Sequence, residues 1–253
     1  DNNPNKPNQL KLSSKLQNTV GNLVKDSSFE NQMGHYCSST STVVSYPMTC
    51  AYRGQRSLHM QSIQYCYLGV QTFTVQPGET YTYSAYAKLI TGSVHIILAP
   101  SGNLAGNVTS EVLRSSCDWT RLQATYTNTS STAVSVSALF WCSENTQAYF
   151  DCAQIEKAPT ASRNNIIDNG DFRHGSYSWS YSGLSGTDGV TTTSTPVSAA
   201  QLNDSVIQIT GAPTSVKYAY QNIKQSGIAG DTFVLSGWAK GESAPLTNLN
   251  ESE

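Results

Sequence analysis

Charged side chains are scarce. They make up 13% of the 253 residues, against roughly 25% in an average soluble chain. The formal net charge is −2, so no strong field draws the chain toward nucleic acid or an anionic membrane. No apolar run reaches the ~20 residues that a spanning helix needs, so no membrane insertion is expected. Cysteine is missing beyond Cys152. The six cysteines (Cys37, Cys50, Cys66, Cys117, Cys142 and Cys152) contain no C-x-x-C pair, which argues against a zinc knuckle. His35, His59, His95 and His174 form no H-E-x-x-H motif, and neither G-x-S-x-G nor a P-loop occurs. The usual signatures of metallohydrolases, α/β-hydrolases and nucleotide sites are therefore absent. No pair of carboxylates is flanked by the Trp-rich cleft of a glycosidase. A non-catalytic protein is expected.

What the chain has in quantity is Ser, Thr, Asn, Gln and Tyr, arranged twice. NLVKDSSFE at 22–30 is answered by NIIDNGDF at 165–172, with Phe29 matching Phe172 at an offset of 143 residues. GETYTYSAYAK at 78–88 is answered by GDTFVLSGWAK at 230–240, at an offset of 152. The same order at nearly the same offset means one module used in tandem, and repeats decide architecture. The expected organisation is a leader or linker at 1–18, a complete module at 19–158, a linker at 159–164 and a partial second copy at 165–253. The opening DNNPNKPNQ reads as linker, in keeping with a piece of a longer polypeptide.

Within the first module, strands are expected at 22–30, 53–61, 62–75, 80–89, 94–99, 119–127, 133–140 and 148–156. Stretch 62–75 changes parity at Gly69, where a bulge is expected. Pro77-Gly78 is a turn signal. Short strands separated by turns, without a helix, predict an all-β sandwich, and the long crossovers favour a jelly roll. The second copy is expected to place strands at its opening and at 205–210, 216–223 and 231–240, then to stop. That leaves an incomplete second jelly roll with open edges. Six cysteines admit many pairings and the sequence does not choose among them. Cys66 and Cys152 fall in strand-like runs and read as small buried hydrophobes.

The ordered set NLVKDSSFE, RSLHM, FTVQPGETYTYSAYAK, DWTRLQATYT and AYFDCAQIEK, running on into NNIIDNGDF, resembles the jelly-roll carbohydrate-binding modules of the family 4/9/22 type. The junction is similar to module strings in bacterial wall-associated proteins with RHS/YD repeats. The resemblance implies a secreted or cell-wall-associated bacterial protein whose partners are a glycan and the rest of a larger polypeptide. It implies glycan binding on the concave face of one sheet or in loops at its edge, through aromatic rings and hydrogen-bonding groups. It places Tyr81, Tyr83 and Ala85 in the core and turns Tyr86 and Lys88 outward. Trp238 and Lys240 match that outward pair in the second copy. Trp141 is a further candidate, and Tyr65 and Tyr67, with Gln64 beside them, are expected to line the neighbouring strand. The resemblance also implies a structural Ca2+ ion held by Glu30 and Asp151, hard oxygen donors of the kind calcium takes. Arg173 stands where Glu30 would be in the second copy, which removes that site there. The rival reading is a structural spacer or protein-docking sandwich without a sugar ligand, since aromatic residues in strands are more often packed than ligand-facing.

Overall fold

The computed structural model describes residues 21–101, 106–162, 165–192, 205–211 and 216–223, together with 235 and 237. Among them there is no α-helix, and every regular element is a strand. Nine strands build the first module: β1 (Thr42–Ser45), β2 (Leu58–Ser62), β3 (Cys66–Val75), β4 (Thr80–Thr91), β5 (Val94–Pro100), β6 (Val108–Thr109), β7 (Thr120–Thr127), β8 (Val134–Cys142) and β9 (Thr146–Glu156). They form two antiparallel sheets, a five-stranded one ordered β1-β2-β9-β4-β7 and a four-stranded one ordered β3-β8-β5-β6. The molecule is an all-β sandwich of the jelly-roll kind.

Alternation explains how the two sheets face each other. In β8 Val136, Ala138, Phe140 and Cys142 are buried, while Ser135, Ser137, Leu139 and Trp141 point the other way. In β4 Tyr81, Tyr83, Ala85, Ala87 and Leu89 are buried. Phe140 of one sheet stacks on Phe150 of the other with centroids 4.1 Å apart. Tyr83 and Phe29 each approach Phe140 to 6.1 Å. This aromatic cluster lies at the middle of the core. Gly69 marks the expected irregularity, since the β3–β8 register shifts between Gly69 and Gln71. The Pro77-Gly78 turn is also in place, with Gly78 at φ 78°, a value that favours glycine.

The expected opening strand is not a strand. Two backbone bonds tie it to β9, from the Leu23 amide to the Ile155 carbonyl and from the Ala153 amide to the Ser27 carbonyl, and side chains add the others. Asn22 Oδ1 accepts from the Val24 and Ile155 amides, and Asn22 Nδ2 donates to the Ala153 carbonyl. The Asp26 carboxylate accepts from the amides of Asn31 and Met33. Phe29 then turns at φ 56° and Gln32 at φ 52°. Residues 53–57 are likewise a loop rather than the first half of β2, because two carboxylates bind their amides. The start of 62–75 is irregular, and β3 begins only at Cys66.

Beyond the linker the same local device recurs. Asn165 Oδ1 accepts from the Ile167 amide. Phe172 turns at φ 56° and Gly175 at φ 64°. The Phe172 amide donates to the Asn169 carbonyl and the Gly175 amide to the Phe172 carbonyl, as Phe29 and Gln32 do toward Asp26 and Phe29. Two small sheets follow, β10 (Ser180–Ser182) with β13 (Tyr218–Tyr220) and β11 (Gly189–Thr192) with β12 (Ser205–Gln208). Apart from 235 and 237, the stretch expected as a strand at 231–240, with Trp238 and Lys240, lies outside the described residues, as do the leader at 1–18 and part of the 159–164 linker.

Candidate functional site

The outer face of the five-stranded sheet collects aromatic and polar side chains in register. Lys88 of β4 pairs with Tyr149 of β9, Tyr149 with His59 of β2, and His59 with Ser45 of β1. Because core residues flank each of them, these four side chains all point outward. His59 and Tyr149 stack at 4.6 Å. Ser45 Oγ lies 3.1 Å from His59 Nδ1, and Gln147 Nε2 lies 3.4 Å from His59 Nε2. Burial holds the His59 imidazole below its usual pKa, so the ring is neutral near pH 7. Lys88 Nζ pairs with Asp118 at 3.2 Å. All the ring-bearing residues of the row are half-exposed.

Beside this row stands Tyr86. Its ring is covered by Tyr52 at 3.8 Å and an interplanar angle of 17°. Trp119 lies 5.8 Å from Tyr52. The Arg121 guanidinium lies 5.8 Å from the Tyr86 ring and Arg53 lies 5.4 Å from the Tyr52 ring. Tyr52 is put there by Asp151, whose Oδ2 accepts from the Tyr52 amide at 2.8 Å and the Arg53 amide at 3.0 Å. Glu30 holds the far end of the same loop, with Oε1 accepting from the Gln55 and Arg56 amides at 2.6 and 2.8 Å. A bulge in β9 makes this possible. The β4–β9 register shifts between Ser84 and Tyr86, Cys152 adopts φ 51°, and its amide donates back to Asp151 Oδ1. Burial pushes the Asp151 carboxyl up to about 7, against the downward pull of those amides. The other end of the face is closed: Thr82 and Ser84 share the outward parity of Tyr86, yet both are buried. Thr82 Oγ1 donates to the Ala158 carbonyl, and Arg121 Nη2 donates to Ser84 Oγ.

The structure divides the expected site residues between two faces. Tyr86 and Lys88 share the five-stranded face. Gln64, Tyr65, Tyr67 and Trp141 do not, because β3 hydrogen-bonds to β8 and never to β4. The chain crosses from one sheet to the other at the Pro77-Gly78 turn. On the four-stranded sheet Tyr67, Trp141 and His95 stand in one cross-strand row. His95 lies 4.5 Å from Trp141, and Tyr36 lies 6.4 Å from Tyr67. Gln64 and Tyr65 are exposed on the loop before β3. Tyr65 and Trp141 border a shallow groove with Ser143, Glu144 and Asn145. The expectation of one platform containing all six residues is thus corrected. The sequence reading also passed over Tyr149, His59, Tyr52 and Trp119. Tyr149 and His59 carried a signal, the outward parity of their strands. Tyr52 and Trp119 carried none.

For a metal, the described residues contain no group of three or more His, Cys, Asp or Glu side chains arranged to hold one. Glu30 and Asp151 offer oxygen donors at the two ends of one loop. Glu30 Oε2 is buried and has no hydrogen-bond partner, so one hard-oxygen position there is unused. Arg173, the residue aligned with Glu30 by the sequence repeat, pairs with Asp171 at 2.6 Å.

Residues 21–144 match the family described as Carbohydrate binding domain. The match takes in β1 to β8, and with the two-sheet architecture it supports a carbohydrate-binding β-sandwich. Among solved structures, the chain is similar to the Family 16 Carbohydrate Binding Module-2, at 21% identity over 53% of this chain and 99% of that one, with a TM-score of 0.41. It is also similar to the CBM22-1 xylan-binding domain of Paenibacillus barcinonensis Xyn10C, at 17% identity over 56% and 99% of the two chains, with a TM-score of 0.39. A third is TmCBM61, solved in complex with beta-1,4-galactotriose, at 12% identity over 54% and 99%, with a TM-score of 0.40. No curated protein sequence matches the chain. No helix among the described residues is long and apolar enough to cross a membrane.

Proposed function

We propose that residues 19–158 are a non-catalytic glycan-binding module of a secreted or cell-surface bacterial protein, and that its ligand lies on the outer face of the five-stranded sheet. One observation carries this reading: the half-exposed His59–Tyr149 stack stands in register with Lys88 and beside Tyr86 and Gln147. Rings offer flat apolar faces to a sugar, and the amide, imidazole and ammonium groups between them suit its hydroxyls. The near-absence of net charge fits a neutral polysaccharide better than a polyanion. The family match supports the same class of ligand. Residues 165–253 are then a partial second copy, and the repeated Asn and Phe turns of the two openings support that division.

Retention on polysaccharide-containing native gels tests the proposal, with the full chain beside Tyr149→Ala and Trp141→Ala. Loss of retention in Tyr149→Ala alone supports the five-stranded face. Loss in Trp141→Ala alone moves the site to Gln64, Tyr65, Tyr67 and Trp141. A structural spacer is the second reading. It is favoured by the fact that Tyr86 is already covered by Tyr52 and Lys88 already engaged by Asp118. Unretarded migration of folded protein on every glycan tried would establish it.

Glu30 and Asp151 are the residues that would hold a structural Ca2+ ion. Such an ion supplies charge neutralisation and rigidity to the loop that carries Tyr52, with no part in any reaction. Calcium at 100-fold over its Kd stabilises a protein that binds it only when folded by about 2.7 kcal/mol. The expected outcome is a calcium-dependent rise in Tm that Glu30→Gln loses. An unchanged Tm in millimolar calcium would rule the ion out.

A further inference from the structure

Four sulfur atoms converge at one end of the core. Cys66 opens β3 and stands directly opposite Cys142, the last residue of β8. Both are fully buried. The Cys142 thiol lies 3.9 Å from the Met60 sulfur on the facing sheet. Cys37 arrives from the irregular segment before β1, where it bridges to Leu68. The Cys66 thiol is within hydrogen-bonding reach of Cys142, of Cys37 and of the hydroxyls of Thr42 and Ser62. Those two hydroxyls are 2.7 Å apart. A pocket of thiols lined by hydroxyls differs from cysteines filling an apolar core.

We propose that Cys66 and Cys142 are a redox pair that closes to a disulfide by exchange with a small-molecule disulfide of the glutathione class. Directly opposed residues of an antiparallel pair have Cα atoms about 4.5–5.5 Å apart and side chains on the same face. A disulfide accepts Cα separations of about 4.4–6.8 Å. No other pair of cysteines stands opposite each other in a ladder among the described residues. Cys37 faces Leu68, two residues along β3 from Cys66.

The exchange has two steps. The Cys66 thiolate attacks one sulfur of the oxidant, forming a mixed disulfide and releasing one small thiolate. The Cys142 sulfur then attacks Cys66 Sγ and expels the second small thiolate. The two cysteine protons end on the two released thiols; the cysteines are oxidised and the oxidant's sulfur–sulfur bond is reduced. The hydroxyls and neighbouring thiols bring the Cys66 thiol down to about 6, the hydrogen bond from Cys142 being the largest cause and burial opposing it. Before the core closes neither thiol has that environment, so either sulfur can open the exchange, with the same products. Because both thiols are fully buried in the closed sandwich, the exchange takes place before the core closes.

The test is peptide mapping of the full chain refolded in a mixture of oxidised and reduced glutathione. The protein is then unfolded in guanidinium with N-ethylmaleimide and digested with trypsin and chymotrypsin, which cut between Cys142 and Cys152 at Tyr149 and Phe150. The expected result is one linked pair of peptides carrying Cys66 and Cys142, with Cys37 alkylated. Cys37→Ala keeps the link. Cys142→Ala loses it and leaves Cys66 free or carrying glutathione. Reduction of the wild-type protein lowers Tm by roughly 10 °C. Six alkylated cysteines after the same refolding overturn the proposal, as does a link to Cys37 in place of either residue. Zinc or copper(I) retained with all thiols free also overturns it, in favour of a metal site. If Cys142→Ala does not fold, the maps of wild type and Cys37→Ala still decide.

Discussion

Phe140 shows how a single side chain ties the two sheets together. It stacks on Phe150 across the interior and touches Tyr83 and Phe29. Phe140→Ala removes the shared partner of all three rings, and a cavity of that kind costs about 3–5 kcal/mol. Guanidinium unfolding followed by fluorescence will measure the loss; a change below about 1 kcal/mol would mean that the cluster is not the centre of the core. Asp168 makes a different kind of prediction. It is buried, and Ser27 Oγ, 141 residues earlier in the chain, donates to it. Desolvation raises its carboxyl to about 6, with the Asp26 and Glu30 charges adding to the rise and Ser27 opposing it. A raised carboxyl favours the folded state while protonated. Its contribution is therefore complete below about pH 4 and is lost as pH rises through about 6. Asp168→Asn should flatten the fall in Tm between pH 4.5 and 7, and an identical slope in both proteins would contradict the assignment. Individual roles were partly legible. The outward turn of Tyr86 and Lys88 followed from period-two alternation and the resemblance. The place of Tyr52 did not, because it is set by a carboxylate 99 residues away in sequence.

Strands in this module were easier to read than their pairing. β4, β7 and β8 carry clean alternation and β-branched or aromatic residues, so their existence follows from local chemistry. Sheet membership depends on which distant strand donates to which. No local feature tells that β3 belongs with β8 rather than β4, and for that reason Tyr65 and Tyr67 do not line the strand beside Tyr86. The opening segment failed in the opposite way. NLVKDSSFE looks like a strand, but Asn22 and Asp26 replace ladder bonds with side-chain bonds, and Phe29 turns the chain at positive φ. Asn22→Ala leaves the Ile155 amide and the Ala153 carbonyl buried without that partner. Each such loss costs about 1–3 kcal/mol. Hydrogen exchange should show residues 22–30 and the end of β9 opening together in this variant. Unchanged protection of the Ile155 amide would show that the Asn22 side chain does not hold the segment.

At the scale of the whole molecule, one sandwich presents two decorated outer faces, and two small two-stranded sheets follow it in the chain. The face on the five-stranded sheet is bounded at one end by Ala158, which accepts from Thr82, and by Arg121, which donates to Ser84, and it is open at the end where Tyr86, Lys88, Tyr149 and His59 gather. The two faces lie on opposite sides of the core, so one short glycan cannot touch both. The likeness of the two segments was visible in sequence because both carry the same Asn and Phe positions. The division of labour between the faces was not, because it appears only once the strands are assigned to sheets. The most direct test is isothermal titration of the full chain with the oligosaccharide that a polysaccharide gel screen selects, beside Tyr149→Ala and Trp141→Ala. Binding to wild type and to Trp141→Ala with a loss of at least about tenfold in Tyr149→Ala, roughly 1.4 kcal/mol, is the predicted result. Undiminished binding in Tyr149→Ala, or binding lost only with Trp141, would contradict the account.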